Sequence, residues 1–112
     1  MTSEKFLSQY KAVVRRIAVN EEIMKRDGYS ASLCEENEEL IKLRFSIENS
    51  IDKSTCNMLE RAVLRKRYIE SKPWEQISKE LLYSVQHLHR IKKSALSKIS
   101  FKKCGCFIFP LR

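Results

Sequence analysis

The sequence predicts an all-α protein, and three observations carry that expectation. The 112-residue chain holds only two Gly and two Pro, so little of it is available for loops. Helix-forming residues dominate, and no run alternates apolar and polar residues over the length of a strand. Apolar residues recur instead at intervals of three and four in successive segments, the pattern of helices that each bury one face. The expected organisation is a helical hairpin over 1–52, a three-helix domain over 53–99 and an apolar, basic tail over 100–112.

From Glu4 to about Arg26, the residues Phe6, Tyr10, Val13, Val14, Ile17 and Met24 share one side, which predicts a single long amphipathic helix. Asp27-Gly28 ends it, since Gly suits the left-handed position after a helix. Ser32, with Glu35 three residues on, has the form of a capping box for a second helix over about 33–51. There Leu40, Leu43, Ile47 and Ile51 align, and the early acidic run Glu35, Glu36, Glu38, Glu39 suits the positive end of a helix dipole. The two helices are expected to pack as an antiparallel hairpin.

Asp52-Lys53-Ser54-Thr55 breaks the pattern and offers caps for a third helix over about 55–70. Leu59, Ala62, Val63 and Ile69 are expected inward, Leu64 and Tyr68 at the edges, and Arg61, Arg65, Lys66 and Arg67 toward solvent or phosphate. Pro73 to Ile99 then reads as two short amphipathic helices. Trp74, Ile77 and Leu81 form the first stripe, widened by Leu82; Leu88, Ile91, Ala95 and Ile99 form the second. A single rod cannot bury both, so a bend is required, and Ser84 is a good N-cap for the helix after it. Lys72 would cap the earlier helix, with Pro73 at its first position. The result is a helix-turn-helix.

At about 100° per residue, Gln86, Arg90 and Ser97 lie opposite the buried Leu88, with Lys93 beside them and His89 on the flank. Gln pairs with adenine edges and Arg with guanine edges, and both residues fall in the first two turns, where a recognition helix meets the major groove. Lys92, Lys93 and Lys98 follow at a spacing suited to phosphates, and the amide groups after Ser84 offer a further phosphate contact. Lys92 sits near the apolar side and is expected to snorkel. Charge agrees with this placement: residues 1–52 hold eight Lys or Arg against ten Asp or Glu, whereas 53–112 hold fourteen against four. A basic half joined to a mildly acidic one is the footprint of a nucleic-acid module, and its coincidence with the recognition-helix face favours double-stranded DNA over a merely solvated basic face.

The string WEQISKELLYSVQHLHRIKKSAL resembles the carboxy-terminal helix-turn-helix of bacterial sigma factors, called region 4. The arrangement is more similar still to small phage regulators with region 4-like domains, of the ArpU and RinA-like late-regulator type. Trp74, Glu75, Gln76 and Ile77 match the opening of that pattern, and Leu81, Ser84, Ile91, Ala95 and Leu96 match its later positions. The resemblance covers about residues 56–99. It implies base contacts at Val85, Gln86, His89 and Arg90, a third helix that braces the other two, and action at promoters with host RNA polymerase. Departures are Pro73 where Thr or Ser usually caps, Leu82 where Gly usually turns, and Val85, which offers a base only its methyl groups. Leu82 implies a less sharply left-handed turn.

The residues themselves leave the hairpin's use open between internal packing, a homodimer seam and a docking surface for polymerase. They also leave open a second class of function, a region 4 mimic that binds polymerase or a repressor without reading DNA. Enzymatic readings find no constellation, because there is no Gly-rich phosphate loop and no H-E-x-x-H, and Glu75 and Glu80 diverge on their helix. No cofactor and no metal are expected: Cys104 and Cys106 have no second pair to complete a zinc site, and His87 and His89 point apart. Cys34 and Cys56 read as small buried apolar residues. With no signal peptide and no apolar run of about 20 residues, a cytoplasmic protein without a membrane partner is expected.

Overall fold

The computed structural model describes residues 2–100, and among these the regular structure is helical throughout, with no strand. The helices are α1 (Ser3–Ser8), α2 (Tyr10–Asp27), α3 (Ala31–Asp52), α4 (Met58–Leu64), α5 (Trp74–Leu81) and α6 (Val85–Ser97). A π-helical turn, Arg65–Ile69, prolongs α4. The tail, with Cys104, Cys106, Lys102 and Lys103, lies outside the described residues. No helix among the described residues is long and apolar enough to cross a membrane.

The first helix is broken at Gln9. Ser8 donates its hydroxyl to the Glu4 carbonyl at 2.6 Å, a back-bond that competes with the helical ladder where it is interrupted. Gly28 (φ 94°, ψ 176°) then reverses the chain in a conformation closed to other residues, and α2 and α3 pack antiparallel. Their pairing is visible in the contacts: Tyr10 donates to Glu48 at 2.9 Å, Arg16 to Glu36 at 2.6 Å, and the buried Asn20 to Asn37 at 2.8 Å. Val13, Ile17 and Leu40 fill the core between them.

Ser30, not Ser32, caps α3, accepting from the Leu33 amide at 3.4 Å. Its backbone is extended (φ −131°, ψ 118°), as an N-cap must be, whereas Ser32 is already inside the helix. The acidic run therefore falls beyond the first turn, and Glu36 is used across the hairpin rather than on the helix dipole. The third helix also starts later than expected. Asn57 and Glu60 form its capping box, with amide contacts of 2.8 and 2.9 Å.

Leu64 and Tyr68, expected at the edges, are buried. The reason is tertiary: α1 lies against α6, and Phe6, Leu7, Tyr10, Ile47, Ile51, Cys56, Leu64, Tyr68, Ala95 and Ile99 form one core. That core joins the hairpin to the later helices. Cys56 is buried in it, while Cys34 is half-buried on α3. A second core, Val63, Ile77 and Leu88, with Trp74, Leu81 and Ile91 at its margin, unites α4, α5 and α6.

Candidate nucleic-acid interface

Pro73 is the N-cap of α5 rather than its first residue, because its ψ of 154° is extended and its carbonyl already accepts from Gln76 and Ile77 at 3.1 Å. At the other end Leu82 takes a fully left-handed conformation (φ 61°, ψ 36°), contrary to the gentler turn implied by its side chain. The burial of Ile77 and Leu88 against Val63 dictates the chain reversal, and Leu82 absorbs it with its own side chain 88% exposed. Ser78 donates its hydroxyl to the Tyr83 carbonyl, closing the turn. Ser84 caps α6 by accepting from the His87 amide at 3.1 Å, and Tyr83 stacks on His87 with ring centroids 5.0 Å apart.

Along α6, Leu88 and Ala95 are buried, and Gln86, Arg90, Lys93 and Ser97 are exposed. Gln86 and Arg90 stand one turn apart in the first two turns, and neither engages another described residue. Val85 is half-buried beside them. His89 is exposed but oriented, its ring 4.6 Å from that of Trp74. Three partners thus surround the Trp74 indole, since the Arg67 guanidinium lies 5.1 Å and the Lys92 ammonium 5.8 Å from its centroid.

Lysines that looked alike in the sequence differ here. Lys93 has no acidic partner among the described residues. Lys92 does snorkel, ending 3.0 Å from Glu4 of α1. Lys98 lies 2.8 Å from Glu60, whose side chain is 5% exposed and which also accepts from Ser94 at 2.9 Å. Lys98 first, then the Asn57 amide and the Ser94 hydroxyl, hold the Glu60 carboxyl down at about 2. The cations of the bracing helix, expected to face solvent or phosphate, are half-buried and engaged within the fold. Arg61 donates to Ser54, Arg65 to Asp52, Lys66 to Glu80 and Arg67 to the Lys72 carbonyl. Among the described Lys and Arg residues after Asp52, those left without a carboxylate or carbonyl partner are Lys53, Lys79, Arg90 and Lys93. Two of the four, Arg90 and Lys93, therefore follow Gln86 by one and two turns on α6.

An open cleft of about 390 Å³ runs beside this face, between the start of α1 and α6, lined by Thr2, Glu4, His89, Lys92, Lys93 and Leu96. Sequence reasoning missed the part played by Glu4, Tyr68 and Trp74. Trp74 alone carried a signal, as an aromatic residue within reach of a basic helix; Glu4 carried none, being 88 residues from Lys92. No protein-family model matches this chain, and neither does any curated protein or solved structure.

Proposed function

We propose that this protein is a sequence-reading, double-stranded DNA-binding transcription regulator, of the phage or prophage region 4-like type, that acts at promoters with host RNA polymerase. One observation carries the reading. Gln86 and Arg90 project together from the first two turns of α6, exposed and unengaged, opposite the buried Leu88. Bidentate readers must be free of intramolecular partners if they are to pair with base edges, and most other described cations of this half are not free. Lys93 supplies an adjacent phosphate contact, Ser84 offers the amides of the helix start, and His89 and Val85 border the reading face.

The test is a selection from random-sequence duplex DNA at physiological salt, run beside the Gln86→Ala/Arg90→Ala double variant. Enrichment of a motif by the native chain and its loss in the variant is the expected result. No enrichment by either discards the reading. A second reading, a protein-interaction module that does not read DNA, draws on α3, where Ile41 and Phe45 stand one turn apart and are 51% and 70% exposed. In that case substitutions at these two residues abolish partner binding while changes in α6 do not.

A further inference from the structure

The cleft between α1 and α6 already holds one anion, and that anion belongs to the chain. Glu4 extends from the first turn of α1 to place Oε2 3.0 Å from the Lys92 ammonium and 3.0 Å from the Tyr68 hydroxyl, both donating to it. Lys93, the next residue, and His89, one turn earlier, line the same cleft. Lys92 and His89 are further fixed by the Trp74 ring. Two donors already held beside an open cleft, Lys92 and His89, with Lys93 next to them unpaired among the described residues, make a seat for a compact oxyanion with little ordering left for those two on binding. The local field agrees with the geometry, because the Lys92 and Tyr68 hydrogen bonds lower the Glu4 carboxyl below its ordinary range.

We propose that this cleft is a phosphate seat, held by Lys92, Lys93 and His89, and that Glu4 is an intramolecular stand-in that a phosphodiester displaces. Resting on the DNA-binding reading, the phosphodiester is one of the duplex backbone. His89, Lys92 and Lys93 lie on the flank of α6 next to the Gln86–Arg90 face, and a helix in the major groove has phosphates along its flanks rather than under its reading face. Displacement requires no movement of a helix, since the Glu4 side chain is half-exposed and needs only to rotate away. The seat assigns His89 to the backbone rather than to a base, and it makes α1, on the far side of the sequence, part of the interface. Free Lys92 would also add to the cations available for counterion release.

Two measurements on the full chain test this. In the first, duplex binding is followed by fluorescence anisotropy across a salt series for the native chain, Glu4→Gln and Lys92→Gln, each checked for native melting. Glu4→Gln keeps an acceptor for Tyr68 but no charge for Lys92, and should bind any duplex about threefold or more tightly, whereas Lys92→Gln should flatten the salt slope by about one unit. In the second, inorganic phosphate is titrated into the ¹⁵N-labelled native chain against chloride of equal ionic strength, and amide shifts are expected at residues 89, 92 and 93. If the native chain binds duplex but Glu4→Gln does not tighten it and phosphate moves none of these amides, the seat is overturned and the DNA reading stands. If phosphate moves them but no duplex binds, the seat stands for phosphate alone and the DNA reading falls.

Discussion

The Lys98 ammonium lies 2.8 Å from Oε1 of Glu60, and this contact ties the C-terminal end of α6 to the capping box that starts α4. Glu60 is thereby shared between two helices. Glu60→Ala should destabilise the fold by about 2–3 kcal/mol, because it removes half of a capping box and leaves Lys98 and Ser94 without their acceptor. Urea denaturation at neutral pH measures this directly.

The same residue predicts an acid limit. Its carboxyl sits at about 2 in the folded chain against 4.5 ordinarily. The unfolded chain therefore takes up this proton first as pH falls, so the contribution is complete above about pH 4.5 and is lost on descent toward pH 2. Glu80, held at about 2 by Lys66, then Lys72 and Gln76, adds to the loss in the same window, though its exposed pairs are screened by salt. Glu60→Gln should show a shallower decline of the denaturation midpoint between pH 5 and pH 2.5; a decline as steep as that of the native chain would count against Glu60 as its source.

Two positive-φ positions should respond in opposite directions. Leu82→Gly should stabilise by about 1 kcal/mol, since a left-handed Leu is strained and this side chain is 88% exposed, so little packing is lost. Gly28→Ala should cost about 1–3 kcal/mol although a Cβ there meets nothing within 4 Å, because the penalty is in the backbone alone. Thermal melts of both variants decide the matter.

Buried amides hold the hairpin in register. Asn20, 1% exposed, donates to Asn37 and, at 3.0 Å, to Glu36. Asn20→Ala should cost about 1–3 kcal/mol by stranding Asn37, while Asn20→Leu/Asn37→Leu should recover most of that loss. A double-mutant cycle reports the coupling.

On the proposed function, Arg90→Ala should cost about 1–3 kcal/mol at a preferred duplex and relax specificity there. Lys93→Ala should instead weaken all duplexes alike and reduce the salt slope by about one unit. Lys98→Ala is distinguished from both: its main effect should be on folding stability, because Glu60 occupies its ammonium. Equal effects of Lys93→Ala and Lys98→Ala on the salt slope would contradict this division.

Much of α5 and α6 was legible because helical periodicity is local. The inward Leu88 and Ala95, the outward Gln86 and Arg90, and the Ser84 cap all follow from spacing within a few residues. Boundaries were less legible, since Ser30 and Ser32 are equally good caps in composition and only the path after Gly28 chooses between them. Asn20 was hidden for a different reason. It occupies the stripe position three residues after Ile17, where a polar residue reads as an interruption until Asn37 is seen opposite.

By itself, then, the sequence determined the helical class, the inward and outward faces of α5 and α6 and the concentration of positive charge in the second half. Only the tertiary structure decided which charges remain available. Lys92 and Lys93 lie on α6 and Lys98 caps its end, yet one meets Glu4, one meets Glu60 and one meets neither. The physical reason is that an ion pair depends on distances of a few ångströms between side chains from separate helices. Those distances are set by how α6 packs against α1 and α4, through a core whose members run from Phe6 to Ile99.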